Sequence, residues 1–265
     1  MMNTVVETLT LALIPGFLLL DLFVQARRYE KSRHWRLRGV VVTVAIVLLS
    51  GEVAAFWGYL FGDWHLFDTS ALGLAGGAVT GVLVYEFFHY GYHRAAHQWN
   101  WLWRAGHQLH HSAESLDAFG AYYLHPFDAA LFTMLSSLVF FPLLGLTVEA
   151  GMLGAFFLTF NAMFQHANVR TPHWLGYVIQ RPESHAIHHA RGVHRHNYSD
   201  LPLWDMVFGT FRNPLSVDGL QAGFYRGASS RLWEMLTGRE VSAPPCPARV
   251  QTIAPEAAPG VSHVT

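Results

Sequence analysis

Residues 72–111 read LGLAGGAVTGVLVYEFFHYGYHRAAHQWNWLWRAGHQLHH. An apolar run of helix length, Leu72–Tyr92, passes directly into two histidine motifs, His93-x-x-x-His97 and His107-x-x-His110-His111. About 20 apolar residues in a helix cross about 30 Å of hydrocarbon. The stretch therefore predicts a membrane helix that ends in a set of imidazoles.

Four further apolar stretches have similar length: Leu9–Ala26, Gly39–Phe61, Phe127–Leu146 and Val148–Gln165. Composition agrees, with 52% hydrophobic and 13% charged residues in 265; soluble domains carry about 25% charged residues. The segment before Leu9 has no Lys or Arg, and positive charge follows the apolar run instead. That is the reverse of a signal peptide, so the first stretch is expected to be a retained helix. The last two stretches are either two spans or a hairpin that does not fully cross.

Basic residues set the orientation. Six lie between Arg27 and Arg38, Arg94 and Arg104 follow the third stretch, and the remainder run from Arg170 to Arg249. With five spans, all of them share one side, which the positive-inside rule makes cytosolic. The opposite loop, Gly62–Ser70, carries Asp63 and Asp68. Gly73, Gly77 and Gly81 form a small-residue row, the usual signature of close helix packing in membranes.

The expected fold is an all-α integral membrane protein. It has four to five transmembrane helices and a cytosolic helical cap (93–126 and 166–240) that carries a histidine-rich dimetal site. Residues 1–240 form one catalytic domain. Residues 241–265, rich in Ser, Ala and Pro, are expected to be a disordered tail. A net charge of −1 gives no support for a nucleic-acid partner. One cysteine, Cys246, excludes an internal disulfide and a thiolate metal site.

Histidine numbers 17, as many as Lys and Arg together. His166 ends the fifth stretch, His125 precedes Pro126, and His185, His188 and His189 repeat the H-x-x-H-H spacing. Histidines three or four apart share a helix face with Cβ atoms about 5–6 Å apart, so such pairs can grip one ion. The doublet points in two neighbouring directions, so one H-x-x-H-H can serve two ions. The number of rings suggests two metals. The alternative, a membrane metal transporter or sensor, would place ligands near the bilayer midplane.

The order H-R-x-x-H (93–97), H-x-x-H-H-S (107–112), H-P (125–126), H-x-N (166–168), P-E-x-H-x-x-H-H (182–189), N-Y (197–198) and W-D-x-x-F-G-T (204–210) resembles the fatty acid hydroxylase/sterol desaturase superfamily. The resemblance covers about half the chain, Tyr85 to Thr210, with Ser199 where many relatives have Gly. It implies an O2-dependent oxidoreductase with two Fe2+ ions, zinc being a substitute in purified protein. The ligands it implies are His93, His97, His107, His110, His111, His185, His188 and His189, with His166 as a ninth. His125 is either a tenth or a partner behind one.

The implied reaction is hydroxylation of a lipid-type substrate (fatty acyl, sterol, carotenoid or ether lipid), with desaturation as the alternative. Electrons would come from an external donor of ferredoxin, cytochrome b5 or reductase type. Arg-rich composition points to a bacterial inner membrane rather than the endoplasmic reticulum. Glu86, an intramembrane carboxylate, is expected to hold an imidazole N–H. Asp128, Asn168, Asn197, Asp205 and Tyr198 are polar groups beside the motifs that either orient a ligand or cap the chain. His89 is expected to be buried and hydrogen-bonded; His173, His194 and His196 are expected to be solvated. Trp99, Trp101 and Trp103 read as an interfacial helix.

Overall fold

The structure, a computed structural model, describes residues 2–62 and 64–244. Asp63, and the expected tail from residue 245 onward, lie outside the described residues. The α-helices are α1 (Met2–Phe23), α2 (Trp35–Phe61), α3 (Gly73–Gln98), α4 (Asn100–Leu102), α5 (Gln108–His111), α6 (Pro126–Leu138), α7 (Val148–His166), α8 (Pro182–His188), α9 (Pro202–Val207) and α10 (Leu232–Leu236). No β-strand occurs among the described residues, only an isolated bridge between Ala190 and Ala222.

Four helical stretches are long and apolar enough to cross a membrane: Thr4–Phe23, Trp35–Phe61, Ser70–Gln98 and Pro126–Leu143. Their outer faces stay apolar, as Leu11, Val41, Leu48 and Val79 illustrate. Lipid suits such faces, because a helix satisfies its own backbone hydrogen bonds there. The fifth apolar stretch is α7, with 19 residues. It is not among those four, and it packs against α1 and α3 while α2 packs against α6.

One end of the bundle joins the α2–α3 loop to the α6–α7 turn. The amides of Leu66, Phe67 and Thr69 bond the carbonyls of Pro142, Leu143 and Leu144 at 2.7–3.1 Å. At the other end Asp21, buried at the foot of α1, accepts the amides of Ala118 (2.5 Å) and Asn168 (3.0 Å). The buried Glu183 pairs with Arg27 and with Arg181, and buried charges persist when paired in this way. Every Lys and Arg among the described residues lies in segments at this end.

The glycine row works as expected at two of its three positions. A Cβ on Gly77 would meet Ala150 Cβ at 3.0 Å, and one on Gly81 would meet Leu146 Cδ1 at 2.7 Å. Gly73 instead starts α3 at φ +65° with nothing nearby. α3 runs on to Gln98, so His93 and His97 lie on the membrane helix itself. Between α4 and α5 the chain widens into a π-helical turn, Trp103–His107. There a Cβ on Gly106 would lie 3.1 Å from Asp128 Cβ. This close approach sets the register of His107 against α6. Val241 is buried and Trp103 donates to Ser242 at 2.9 Å, so the start of the tail is packed.

Candidate metal centre

Nine of the histidines converge into two groups. His93, His97, His107, His111 and His188 form one; His110, His166, His185 and His189 form the other. Within each group the offered nitrogens lie within 4.8 Å of one another. The helical repeat explains the division. In each H-x-x-H-H the outer pair, i and i+4, shares a face. Thus His107 and His111 serve the first group while His110 turns to the second. His185 and His189 serve the second while His188 turns to the first. The two motifs are complementary.

Ring nitrogens face each other closely: His107 Nε2 to His111 Nε2 at 3.1 Å, and His166 Nε2 to His110 Nε2 at 3.2 Å and to His185 Nε2 at 3.1 Å. Neighbouring ligands on an ion with bonds of about 2.1 Å stand about 3 Å apart. Nε2 of His93, His97, His188 and His189 is buried with no hydrogen-bond partner. An ion is the partner such inward nitrogens lack, so the residues fit a metal pair. Burial, then neighbouring imidazoles, pushes His110, His111, His185 and His189 well below the ordinary value; burial and His107 do the same to His188. Neutral rings are the form that binds metal.

The outer nitrogens are held from behind. His93 Nδ1–H donates to the Tyr198 carbonyl (2.6 Å), His188 Nδ1–H to the His196 carbonyl (2.7 Å) and His166 Nδ1–H to the Ala162 carbonyl (2.8 Å). Each bond fixes a tautomer with Nε2 facing inward. Asp128 lies 2.8 Å from His107 Nδ1 and also accepts the Tyr92 hydroxyl. Asn197 and Asp205 hold the segment that supplies the first two carbonyls. Asn197 Nδ2 donates to Ser184 and Arg212 carbonyls, and its Oδ1 accepts the Arg212 amide. Asp205 accepts the amides of Tyr198 (2.9 Å) and Ser199 (2.8 Å).

Other expected residues fall elsewhere. His125 belongs to neither group: its Nδ1 accepts the Phe127 amide at 3.1 Å and caps α6. Asn168 ties its side chain to the Arg27 backbone, holding the α1–α2 loop. Glu86 accepts the amides of Asp200 and Leu201 rather than an imidazole of either group. His89 is buried, but its Nδ1 has no hydrogen bond.

The three histidines expected to be solvated are each partly buried. His194 is half-buried, 3.1 Å from His111 Nδ1, and packs on Trp103 and Phe224. Its left-handed φ of 41°, with those of His196 (72°) and Asn197 (53°), turns the chain back onto the site. His173 and His196 are half-buried as well, His173 bonding the Asn213 carbonyl. Trp99 and Trp101 are exposed, whereas Trp103 turns inward against His97, His107 and His111.

A cavity of about 580 Å³ runs between α1, α2, α3, α6 and α7. Ile14, Ile46, Val47, Phe140 and Leu158 line it, and it ends on His93, His107, His110, His166 and His185, which come from both groups.

Spanning-length helices, paired imidazole groups at their common end and an apolar cavity leading to them define an integral membrane protein whose histidine clusters can hold metal. The chain belongs to the fatty acid hydroxylase family, whose model matches residues 78–210. Sphinganine C4-monooxygenase 1 of Arabidopsis thaliana is 26% identical over 166 residues, 61% of this chain and 64% of that protein. Human alkylglycerol monooxygenase is 32% identical over 48% of this chain and 28% of its own length. The ornithine lipid hydroxylase OlsE of Rhizobium tropici is 31% identical over 51% of this chain and 42% of its own. The chain thus spans less than two thirds of each of these relatives. No solved structure matches it.

Proposed function

We propose that the protein is a membrane lipid hydroxylase that uses O2 at two iron ions, one in each histidine group. The observation that carries this reading is the apolar cavity that ends on rings of both groups. Imidazoles suit several transition metals, so iron rests on family chemistry, and zinc is the expected substitute. The relatives' names, which specify sphinganine, alkylglycerol and ornithine lipid, support a lipid substrate.

Bound iron would supply activation of O2 toward an unactivated C–H bond. The chain supplies the rest. The carbonyls of Tyr198 and His196 and the carboxylate of Asp128 keep three rings of the first group aimed inward. Apolar walls exclude water and present one carbon of the substrate to the centre. An opening among membrane helices suits a lipid that arrives sideways from the bilayer. Electrons come from an external donor of ferredoxin, cytochrome b5 or reductase type, which reaches the cap. The one-sided basic residues support a cytosolic cap, and the Arg-rich composition supports a bacterial inner membrane.

The test is lipid profiling of cells with the protein, without it, and with His110→Ala. Hydroxylation predicts a species heavier by about 16 Da that only the wild type makes; desaturation predicts one lighter by about 2 Da. An unchanged profile in every lipid class rejects the enzyme.

A further inference from the structure

A third cluster lies beside the two imidazole groups and belongs to neither. Glu86 and His89 sit one turn apart on α3, and Asp200 approaches from the segment before α9. All three are buried, and their ligand atoms lie within 4.8 Å of one another. Glu86 Oε2 is occupied by the amides of Asp200 (2.9 Å) and Leu201 (3.3 Å), and Asp200 Oδ1 by Gln165 Nε2 (2.8 Å). Glu86 Oε1 and His89 Nδ1 are buried without any hydrogen-bond partner. His89 Nδ1 stands 3.6 Å from Glu86 Oε2, too far for a hydrogen bond.

Charge makes this arrangement costly as it stands. Two carboxylates and one imidazole share this buried cluster. Burial and the neighbouring Glu86 push the Asp200 carboxyl up from its ordinary value, and the His89 ring offsets this only in part. One protonated imidazole would cancel only one negative charge. One divalent ion cancels both and gives the two orphaned atoms a partner. Two carboxylates and an imidazole also make a reasonable ligand set for Mn2+, Fe2+ or Zn2+. His89 and Asp200 line the cavity, so a fourth position is open to water or ligand.

We propose that Glu86, His89 and Asp200 form a third divalent-cation site, distinct from the paired histidine groups. His89 and Asp200 lie on the cavity wall, so the ion would stand along the path to the histidine centre. The site does not depend on the oxygenase reading, because its ligands are not those of either imidazole group.

The test uses the full chain, purified in detergent with its native metals and then titrated with Mn2+. Free Mn2+ is read by electron paramagnetic resonance and total metal by mass spectrometry. The expected result is one more divalent ion per chain in the wild type than in Glu86→Gln or Asp200→Asn. Their Mn2+ affinity should fall by at least the roughly 10–100-fold that loss of even an outer partner costs a metal site, while iron content holds. His110→Ala should have the opposite profile, losing metal from its own group and keeping the Mn2+ site. Equal metal counts in wild type and both variants overturn the proposal. If the variants fail to fold or lose iron as well, an anomalous-scattering map of Mn2+-treated wild type decides. A peak between the three side chains supports the site, and a blank there rejects it.

Discussion

The Asp128 carboxylate stands behind His107, 2.8 Å from Nδ1, where it would steady the ring against an ion on the Nε2 side. Asp128→Asn keeps the shape and removes the charge. Outer partners of this kind are worth about 10–100-fold in metal affinity, so chelator competition should show a loss of that size, and an unchanged affinity would reject a positioning role. His125 gives the contrasting case. His125→Ala should leave metal content intact and cost about 1 kcal/mol of stability through the lost cap, whereas His110→Ala should lose metal. The neutral rings add a pH dependence. His110, His111, His185, His188 and His189 titrate below the ordinary 6.5 in the folded chain. Below that value the unfolded chain takes up protons that the folded one refuses. Stability of the metal-free protein should therefore fall as pH drops from about 6.5. Thermal midpoints recorded from pH 8 to 5.5 check the sign, and a rise in acid would contradict neutral rings.

At the scale of elements, α3 and α7 must approach closely because each carries part of the centre: His93 and His97 on one, His166 on the other. Gly77 permits that approach, with Ala150 Cβ of α7 already 3.0 Å from where its Cβ would stand. Gly77→Leu should cost about 1–3 kcal/mol by overpacking and lower metal occupancy, since it separates helices that supply both groups. Thermal denaturation and metal analysis together would test this; a less stable protein with full metal content would uncouple packing from the site. Elements also show why the sequence was readable where it was. Spacing of i, i+3 and i+4 fixes which rings share a helix face, so eight of the nine converging histidines are legible as motifs, and His166 by its place at the end of the fifth apolar stretch. His194 is not, because left-handed backbone at His194, His196 and Asn197 delivers it. The carbonyls of His196 and Tyr198 leave no trace in sequence, since every residue has one. Glu86 and Asp200 meet across 114 positions, a pairing that no local pattern encodes.

The whole molecule places the histidine-lined end of a cavity where the spanning helices meet the basic cap. On α7 the cavity lining begins at Gly151 and ends at His166, a rise of about 22 Å. A substrate that reaches the histidines from within the bilayer must extend along this wall, and the depth available sets how much chain can lie beyond the reacting carbon. Ala155 lines the cavity eleven residues before His166, about 16 Å away along the helix. It is small, and it touches none of the groups that hold the rings in place. Ala155→Trp should therefore shorten the cavity without disturbing the centre. Conversion of long-chain substrates should drop at least about tenfold, the equivalent of about 1.4 kcal/mol in the transition state. Shorter chains should react nearly as before, and metal content and thermal midpoint should match the wild type. Product analysis over a series of chain lengths measures the ratio. Equal loss at every length would mean that the cavity does not bind the chain, and no loss at any length would mean that substrate arrives by another route.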